Sequence, residues 1–422
     1  MTLLLLVFRP EVASASIFGD VRGVVLDPQE RPVPRAKVSL QSRTSSLAQG
    51  AQTSDTGEYL FRAVPLGDYV LTVEAPGFER ALRTVTVTSD SAPVLKTILS
   101  LAKLAQTVDV VERSPVVGSD SPTPTTLVSR EDIARAPGAD RSNSLAMITN
   151  NVPGAYMIHD QLHVRGGHQV TWLVDGVPIP NTNIASNVGP QIDPKDIDYL
   201  EVQRGGYSAE FGDRTYAIFN VVPRTGFEYH REAEVVASYG SFGQTNDQVR
   251  LGGHGDHLAY YASVSGNRTN FGLAAPTAEV LHDHAHGLGA FTSLVYRPRP
   301  ADQIRLVAAV RGDRYEVPND PEAQAAGTAD VASERDAFVN LSWVRTMGRG
   351  LLTVSPFYHF NRGDFLGGAN DLPLVATDKH SSRYAGGQAV FSVLTAKHKA
   401  TAGLFGFLQH DETLFALRPG DG

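Results

Sequence analysis

The 422 residues include no cysteine, which excludes disulfide frameworks, thiolate zinc sites and thiol catalysis together. An oxidising compartment stays open, because a large core needs no covalent staple. Basic residues are outnumbered, 37 Lys+Arg against 45 Asp+Glu, and the net charge is -8. A nucleic-acid binder needs a basic face, so no nucleic-acid partner is expected. Long apolar runs are missing too. After the first few residues no stretch approaches the roughly 20 apolar residues of a transmembrane helix. If the chain crosses a membrane, it must do so as β-strands. What is present is 42% hydrophobic and 19% charged, with 39 Gly and 25 Pro, the composition of a folded, turn-rich chain of two or three domains.

The opening MTLLLLVFRPEVASASIF carries a short apolar run, Leu3 to Phe8, and the small-residue pattern Ala13-Ser14-Ala15. Residues 1–15 are expected to be a secretory signal. Its basic n-region is missing, consistent with a start further upstream. From Gly19 to Leu101, the segments VRGVVL, AKVSLQS, EYLFRAV, DYVLTVEA and RTVTVTS alternate with period 2 between turn signals such as Asp55-Thr56-Gly57 and Ala75-Pro76-Gly77. Short strands at this spacing predict a β-sandwich over 19–101. Asp27, Asp55 and Asp68 read as turn formers rather than a calcium cluster. No HxxE or HExxH spacing accompanies them. The order GVVLDPQERPVPRAKVSL … SDTGEYLFRAVPLGDYVLTVEAPGF resembles the carboxypeptidase-regulatory-like family, which implies a non-catalytic module here.

After the sandwich, Thr107-Val108-Asp109-Val110-Val111 is a short β-branched run followed by the loose SPVVGSDSPTPT. A tethered strand of this kind can be captured by a partner's sheet edge; it also suits the first strand of the next domain. Ser129 with Asp132 forms a capping-box pattern before Ile133, and Asp140 can cap a second helix. Four blocks follow in order: Val164-Arg165-Gly166-Gly167, Leu173-Val174-Asp175-Gly176-Val177-Pro178, Tyr199-Leu200-Glu201-Val202-Gln203-Arg204-Gly205-Gly206, and Ser208-Ala209-Glu210-Phe211-Gly212 leading to Asn220-Val221-Val222. Neither Arg-Gly-Gly fits GxGxxG or P-loop spacing, so no nucleotide site is expected.

Together these blocks resemble the plug of TonB-dependent outer-membrane receptors. Gly206 stands where that family commonly has proline, and Tyr216-Ala217 replace a common Gly-Gly pair. The resemblance implies that residues 107–226 are a TonB box, Thr107–Val111, and a small α+β plug. The plug glycines let the backbone turn sharply. Arg165 and Arg204 are expected to pair with barrel carboxylates.

From Phe227 to Gly422 the text alternates strictly. Leu258, Tyr260, Ala262 and Val264 interleave with Tyr261, Ser263 and Ser265, and Ile304, Leu306, Ala308 and Val310 with Gln303, Arg305 and Arg311. Each run is about the 9–11 residues of a tilted transmembrane strand, with one apolar and one polar face. Nine strands are predicted, near 228–239, 246–253, 257–267, 287–297, 303–313, 334–346, 351–361, 382–395 and 400–410. Their connections alternate: long at 268–286, 314–333 and 362–381, short at 298–302, 347–350 and 396–399. A transmembrane barrel sorts its loops in this way, long outside and short in the periplasm. Residues 227–422 thus read as the first strands of a barrel. The family's barrel has 22 strands, so the sequence is expected to be the N-terminal part of a longer receptor.

The fold expectation is mainly β: sandwich, α+β plug, then about nine barrel strands in the cell outer membrane, with the N-terminal domain in the periplasm. The function implied is energised uptake of an extracellular nutrient. The partners are a periplasmic TonB-type energy-coupling protein and outer-membrane lipid. Oligosaccharide, peptide and metal-chelate ligands all fit. The alternative is an outer-membrane binding or adhesion protein without energised transport. No catalytic constellation is found, and neither an enzyme nor a cofactor is expected. His282, His284 and His286 alternate on one side of an extended segment and are the only metal candidates; His254 and His257 fall at the opposite, short-turn end.

Overall fold

The computed structural model describes residues 18–89, 91–92, 94–102, 124–136, 152–158, 161–167, 170–179, 192–207, 211, 216–273, 275–371, 373–395 and 398–420. The signal segment 1–15, the Thr107–Val111 run, the second helix and Gly212 lie outside them.

The first seven strands are β1 (Phe18–Leu26), β2 (Lys37–Ser42), β3 (Ala48–Gln52), β4 (Glu58–Pro65), β5 (Gly67–Glu74), β6 (Ala81–Val87) and β7 (Val94–Ile98). They form two sheets, ordered β4-β1-β7 and β3-β2-β5-β6. Val21, Val38, Phe61, Leu71, Val85 and Leu95 point between the sheets and make the sandwich core, as the period-2 text requires. Asp27 behaves as a turn former: its carboxylate accepts the amides of Gln29 and Arg31 at 2.9 Å each.

A third sheet is assembled from β8 (Thr125–Ser129), β11 (Val170–Val174), β12 (Val177–Ile179), β13 (Ile197–Gln203) and β14 (Ala217–Pro223), in the order β12-β11-β14-β13-β8. The hairpin β9 (Ala155–Ile158) and β10 (Gln161–Val164) and, among the described residues, one α-helix, α1 (Arg130–Arg135), accompany it. The capping box forms as written: Ser129 accepts from the Asp132 amide, and the Asp132 carboxylate accepts from the Ser129 amide.

The remaining strands are β15 (Glu232–Val236), β16 (Thr245–His254), β17 (Leu258–Thr269), β18 (Ala285–Arg299), β19 (Asp302–Glu316), β20 (Val331–Met347), β21 (Gly350–Leu366), β22 (Leu374–Leu394) and β23 (Lys399–Pro419). They pair antiparallel in sequence order as one open nine-stranded sheet. Its burial is inverted relative to a soluble protein. Gln248, Ser263, Asn340, Ser342, Ser355, His359 and Gln388 are buried on the inner face, while Val249, Val264, Leu288, Val310, Val339 and Leu341 are exposed outside. That alternation, apolar outward and polar inward, is the one a transmembrane β-barrel wall requires. The short turns are 255–257, 300–301, 348–349 and 395–398, and the longer connections 270–284, 317–330 and 367–373; a helical turn, α2 (Pro321–Ala326), lies within the second. The stretch 362–381, expected to be a long loop, is instead mostly strand, because β21 and β22 remain paired from Leu366↔Thr377 downward. No helix among the described residues is long and apolar enough to cross a membrane, which says nothing of a β-barrel.

Candidate functional site

The inner sheet meets the barrel wall at the Asp175-Gly176 turn. Both residues have positive φ, 51° and 76°, and the strands they join pair from Val174↔Val177 outward. This is the Asp-Gly two-residue hairpin. Asp175 is thereby aimed at β19, where Arg305 grips it with both arms: Nε donates to Oδ2 at 2.9 Å and Nη2 to Oδ1 at 2.7 Å. The Asp175 and Arg305 side chains are 1% and 6% exposed. Two neutral donors complete the grip: Gln388 Nε2 to the Gly176 carbonyl at 3.1 Å and Asn340 Nδ2 to the Val174 carbonyl at 3.4 Å. Three barrel strands thus hold one turn.

A second anchor lies at the 3-10 turn Pro194–Asp196, which Asp193 caps by accepting the Lys195 amide. Asp196 Oδ1 accepts from Ser263 Oγ at 2.7 Å, Tyr261 Oη at 2.8 Å and Gln248 Nε2 at 3.0 Å, all on the barrel wall. Burial, with the neighbouring Asp193 charge, pushes its carboxyl up to about 6. Where the inner domain runs into the barrel, Arg224 donates to both oxygens of Glu228, at 2.7 and 2.9 Å. Its guanidinium also lies over the Tyr229 and Tyr261 rings. An apolar cluster continues from Trp172, Val174 and Phe219 to Tyr261, Phe291, Val307 and Phe338 of the wall. The contact is therefore mixed, with its ionic groups at the turns.

The two Arg-Gly-Gly blocks meet, but not at the barrel. Arg165, at φ 53°, lays its guanidinium over Gly205, where an added Cβ would lie 2.4 Å from Nη1. Arg204 donates to the Pro153 carbonyl at 2.8 Å and to Thr126 Oγ1 at 3.1 Å, both inside the plug-like unit. The expected pairing with barrel carboxylates is corrected for Arg204: carbonyl and hydroxyl acceptors inside its own unit take its donors. Among the described residues the bidentate pair across the interface has the opposite polarity, with the carboxylate inside and the guanidinium on the wall. Gly166, Gly205 and Gly206 occupy positive-φ turns, and Gly167 lies against Tyr216, where a Cβ would collide with the ring. Asn220 faces Glu201 across the β13–β14 ladder and donates to it at 3.2 Å, while its Oδ1 accepts the Gly176 amide at 3.1 Å.

The histidines disperse. His282 and His284 both direct Nδ1 at Glu316 Oε2, at 3.5 and 2.8 Å, and His282 Nε2 contacts the Asp330 carbonyl at 2.9 Å. His286 sits within β18 opposite Arg268 and Arg314. No group of three metal-ligating side chains occurs among the described residues. His254 and His257 lie at the short-turn end, bonded to the Tyr229 and Arg297 carbonyls at 2.7 and 3.0 Å.

Of the residues forming this interface, Asp175, Gly176, Glu201 and Asn220 stand out in the sequence as motif members. Asp196, Arg224, Arg305, Asn340 and Gln388 do not. The signal available for Arg305, Asn340 and Gln388 is their place on the polar face of an alternating strand.

Comparison with known proteins agrees with this architecture. The carboxypeptidase regulatory-like domain model matches residues 20–100, and the TonB-dependent receptor plug domain model residues 118–217. Over 245 residues the chain is 27% identical to the TonB-dependent transporter Oar of Myxococcus xanthus, covering 54% of this chain and 22% of that protein. The unliganded ferric citrate transporter FecA shares the fold, with a TM-score of 0.55 at 14% identity over 71% of this chain and 49% of its own. FpvA of P. aeruginosa, bound to a heterologous pyoverdine–iron complex, gives 0.53 at 13% identity over 72% and 44%. The chain thus spans about a fifth of its curated relative and under half of these structures. It carries a carboxypeptidase regulatory-like domain and a TonB-dependent receptor plug domain, followed by an open antiparallel wall with the fold of TonB-dependent receptor barrels.

Proposed function

We propose that these domains serve energised uptake of an extracellular nutrient across the outer membrane, with the sandwich and the short turns on the periplasmic side. The observation that supports this most is the grip on the Asp175-Gly176 turn by Arg305, Asn340 and Gln388. Polar contacts at turns hold a plug in one position, yet water can replace each of them once the plug shifts. An interface fixed by apolar burial alone would offer no such exchange. In this reading an energy-coupling protein captures Thr107–Val111 by strand addition and pulls. The pull reaches β8 first, the edge strand of the plug sheet, hydrogen-bonded along β13 from Thr125↔Gln203 to Ser129↔Tyr199. Loosening β8 then loads β13 and β14, which hold the turn.

The test is deletion of residues 107–111 in the full-length gene, followed by nutrient-dependent growth and uptake. Loss of uptake with retained surface binding is expected. Unchanged uptake and growth would overturn the reading, leaving a binding or adhesion protein.

A further inference from the structure

The sandwich lies across the short-turn end of the barrel. Arg22 Nη1 donates to the Thr395 carbonyl at 3.0 Å, Arg62 donates to the Arg349 carbonyl, and Ser46 Oγ reaches both the Phe227 carbonyl at 2.7 Å and His254 Nε2 at 3.0 Å. Phe18 packs with Val344 and Leu351, and Leu47 with Phe227, Ala259 and Val295. It touches the plug as well. Leu66 clusters with Tyr199 and Val222, and an added Cβ at Gly67 would lie 3.0 Å from the Tyr199 ring. At Ser89 the contact is ionic: the backbone amide donates to Glu201 Oε1 at 2.7 Å, and the hydroxyl donates to Oε2.

Glu201 is fully buried, so its charge requires donors that stay in place. It stands in mid-strand on β13, opposite Leu127 of β8 on one side and Asn220 of β14 on the other. The chain of bonds therefore crosses the plug sheet perpendicular to its strands. It runs from Ser89 of the sandwich to Glu201, on through Asn220 to the Gly176 amide, and from that turn to Arg305 and Gln388 of the barrel. Each member holds the next: Glu201 orients the Asn220 amide, and Asn220 Oδ1 fixes the turn that presents Asp175.

We infer that the docked sandwich is a strap on the plug: through Ser89 and Glu201 it preorganises the Asp175–Arg305 latch, so the plug loosens when the sandwich undocks. Glu201 and Asn220 are positioning residues in this device. The linker that carries Thr107–Val111 joins the two parts the strap holds together. The inference concerns the resting receptor and stands whether or not uptake is energised.

The experiment is hydrogen–deuterium exchange of the full-length receptor reconstituted in lipid nanodiscs, read at the amides of Gly176, Val177 and Ile179. Ser89→Ala, which removes one donor to a buried carboxylate at the sandwich surface, is expected to speed exchange there by roughly threefold to tenfold. Combining it with Arg305→Gln should give less than the product of the two single effects. A structural effect confined to the sandwich would raise exchange in β1 to β7 and leave Gly176, Val177 and Ile179 unchanged. That result, or strictly multiplicative effects in the double variant, would overturn the strap. Arg22→Ala, which weakens docking at the Thr395 turn without touching Glu201, supplies a second route. It too should speed exchange at Gly176, Val177 and Ile179, and failure to do so counts against the inference.

Discussion

Replacing Asp175 by asparagine should release the plug from the barrel wall while leaving both folded. Asparagine tolerates the left-handed backbone at this position, so the hairpin turn is kept and only the charge is lost. Asp175 and Arg305 are almost wholly buried and joined by two bonds of 2.9 and 2.7 Å. Removing one partner of such a pair strands the other charge, at a cost of about 3–5 kcal/mol. Even the lower figure changes the ratio of loosened to seated plug on the order of 100-fold. Limited proteolysis of the full-length receptor in reconstituted membranes reads that ratio, because cleavage of a transiently opened state follows its population when opening is fast. Asp175→Asn should therefore accelerate plug cleavage by about two orders of magnitude. Asp175→Asn with Arg305→Gln should recover much of the loss, since no charge is then left unpaired. A single variant within threefold of the parent, or a double variant no better than the single, would refute the assignment of the latch to this pair.

Acidification should tighten the plug. Asp196 has its carboxyl raised to about 6 from an ordinary value near 4, so the seated plug binds a proton that the free plug does not. Docking gains strength as pH falls from 7 toward 4, by at most about 3 kcal/mol, and the penalty is fully present above pH 6. Proteolysis rates measured across that window should fall in the parent and fall less steeply in Asp196→Asn; a pH response undiminished by the substitution would contradict this. Gly226→Ala should prevent correct seating of the plug-to-barrel junction, because the new Cβ would fall 2.3 to 2.4 Å from backbone atoms of Tyr260 and Gly253. Gly255→Ala in the neighbouring turn has open space and should behave as the parent; heat-modifiable migration on gels compares the two.

Much of the architecture was legible because it rests on periodicity. The strand Val331–Met347 alternates Asp336, Phe338, Asn340 and Ser342 inward with Val339 and Leu341 outward, and a period of two cannot be confused with a helix. Strand ends were less legible. Gly363, Gly367, Gly368 and Asn370 punctuate residues 362–381 as a loop would, yet β21 runs through Gly363 to Leu366 and pairs with β22 from Thr377 onward. The glycines of the Arg-Gly-Gly blocks announce tight turns, and they are found there. Arg204 misled, because a guanidinium beside a polar lumen suggests an ion pair, and carbonyl acceptors such as that of Pro153 leave no trace in a sequence. The pair that does form joins positions 130 residues apart. Arg305 looks like any polar-face residue of an alternating strand until the fold brings Asp175 to it.

The most direct test of a plug that moves under an energised pull uses Gln388, which is 4% exposed beneath the Gly176 carbonyl. Since the chain has no cysteine, Gln388→Cys in the full-length receptor gives a reporter that the seated plug covers. Energised cells should label at this position with a membrane-impermeant maleimide. Labelling should be lost on adding a protonophore or deleting residues 107–111. Labelling that is equal under all three conditions would contradict a plug released by coupling to that segment.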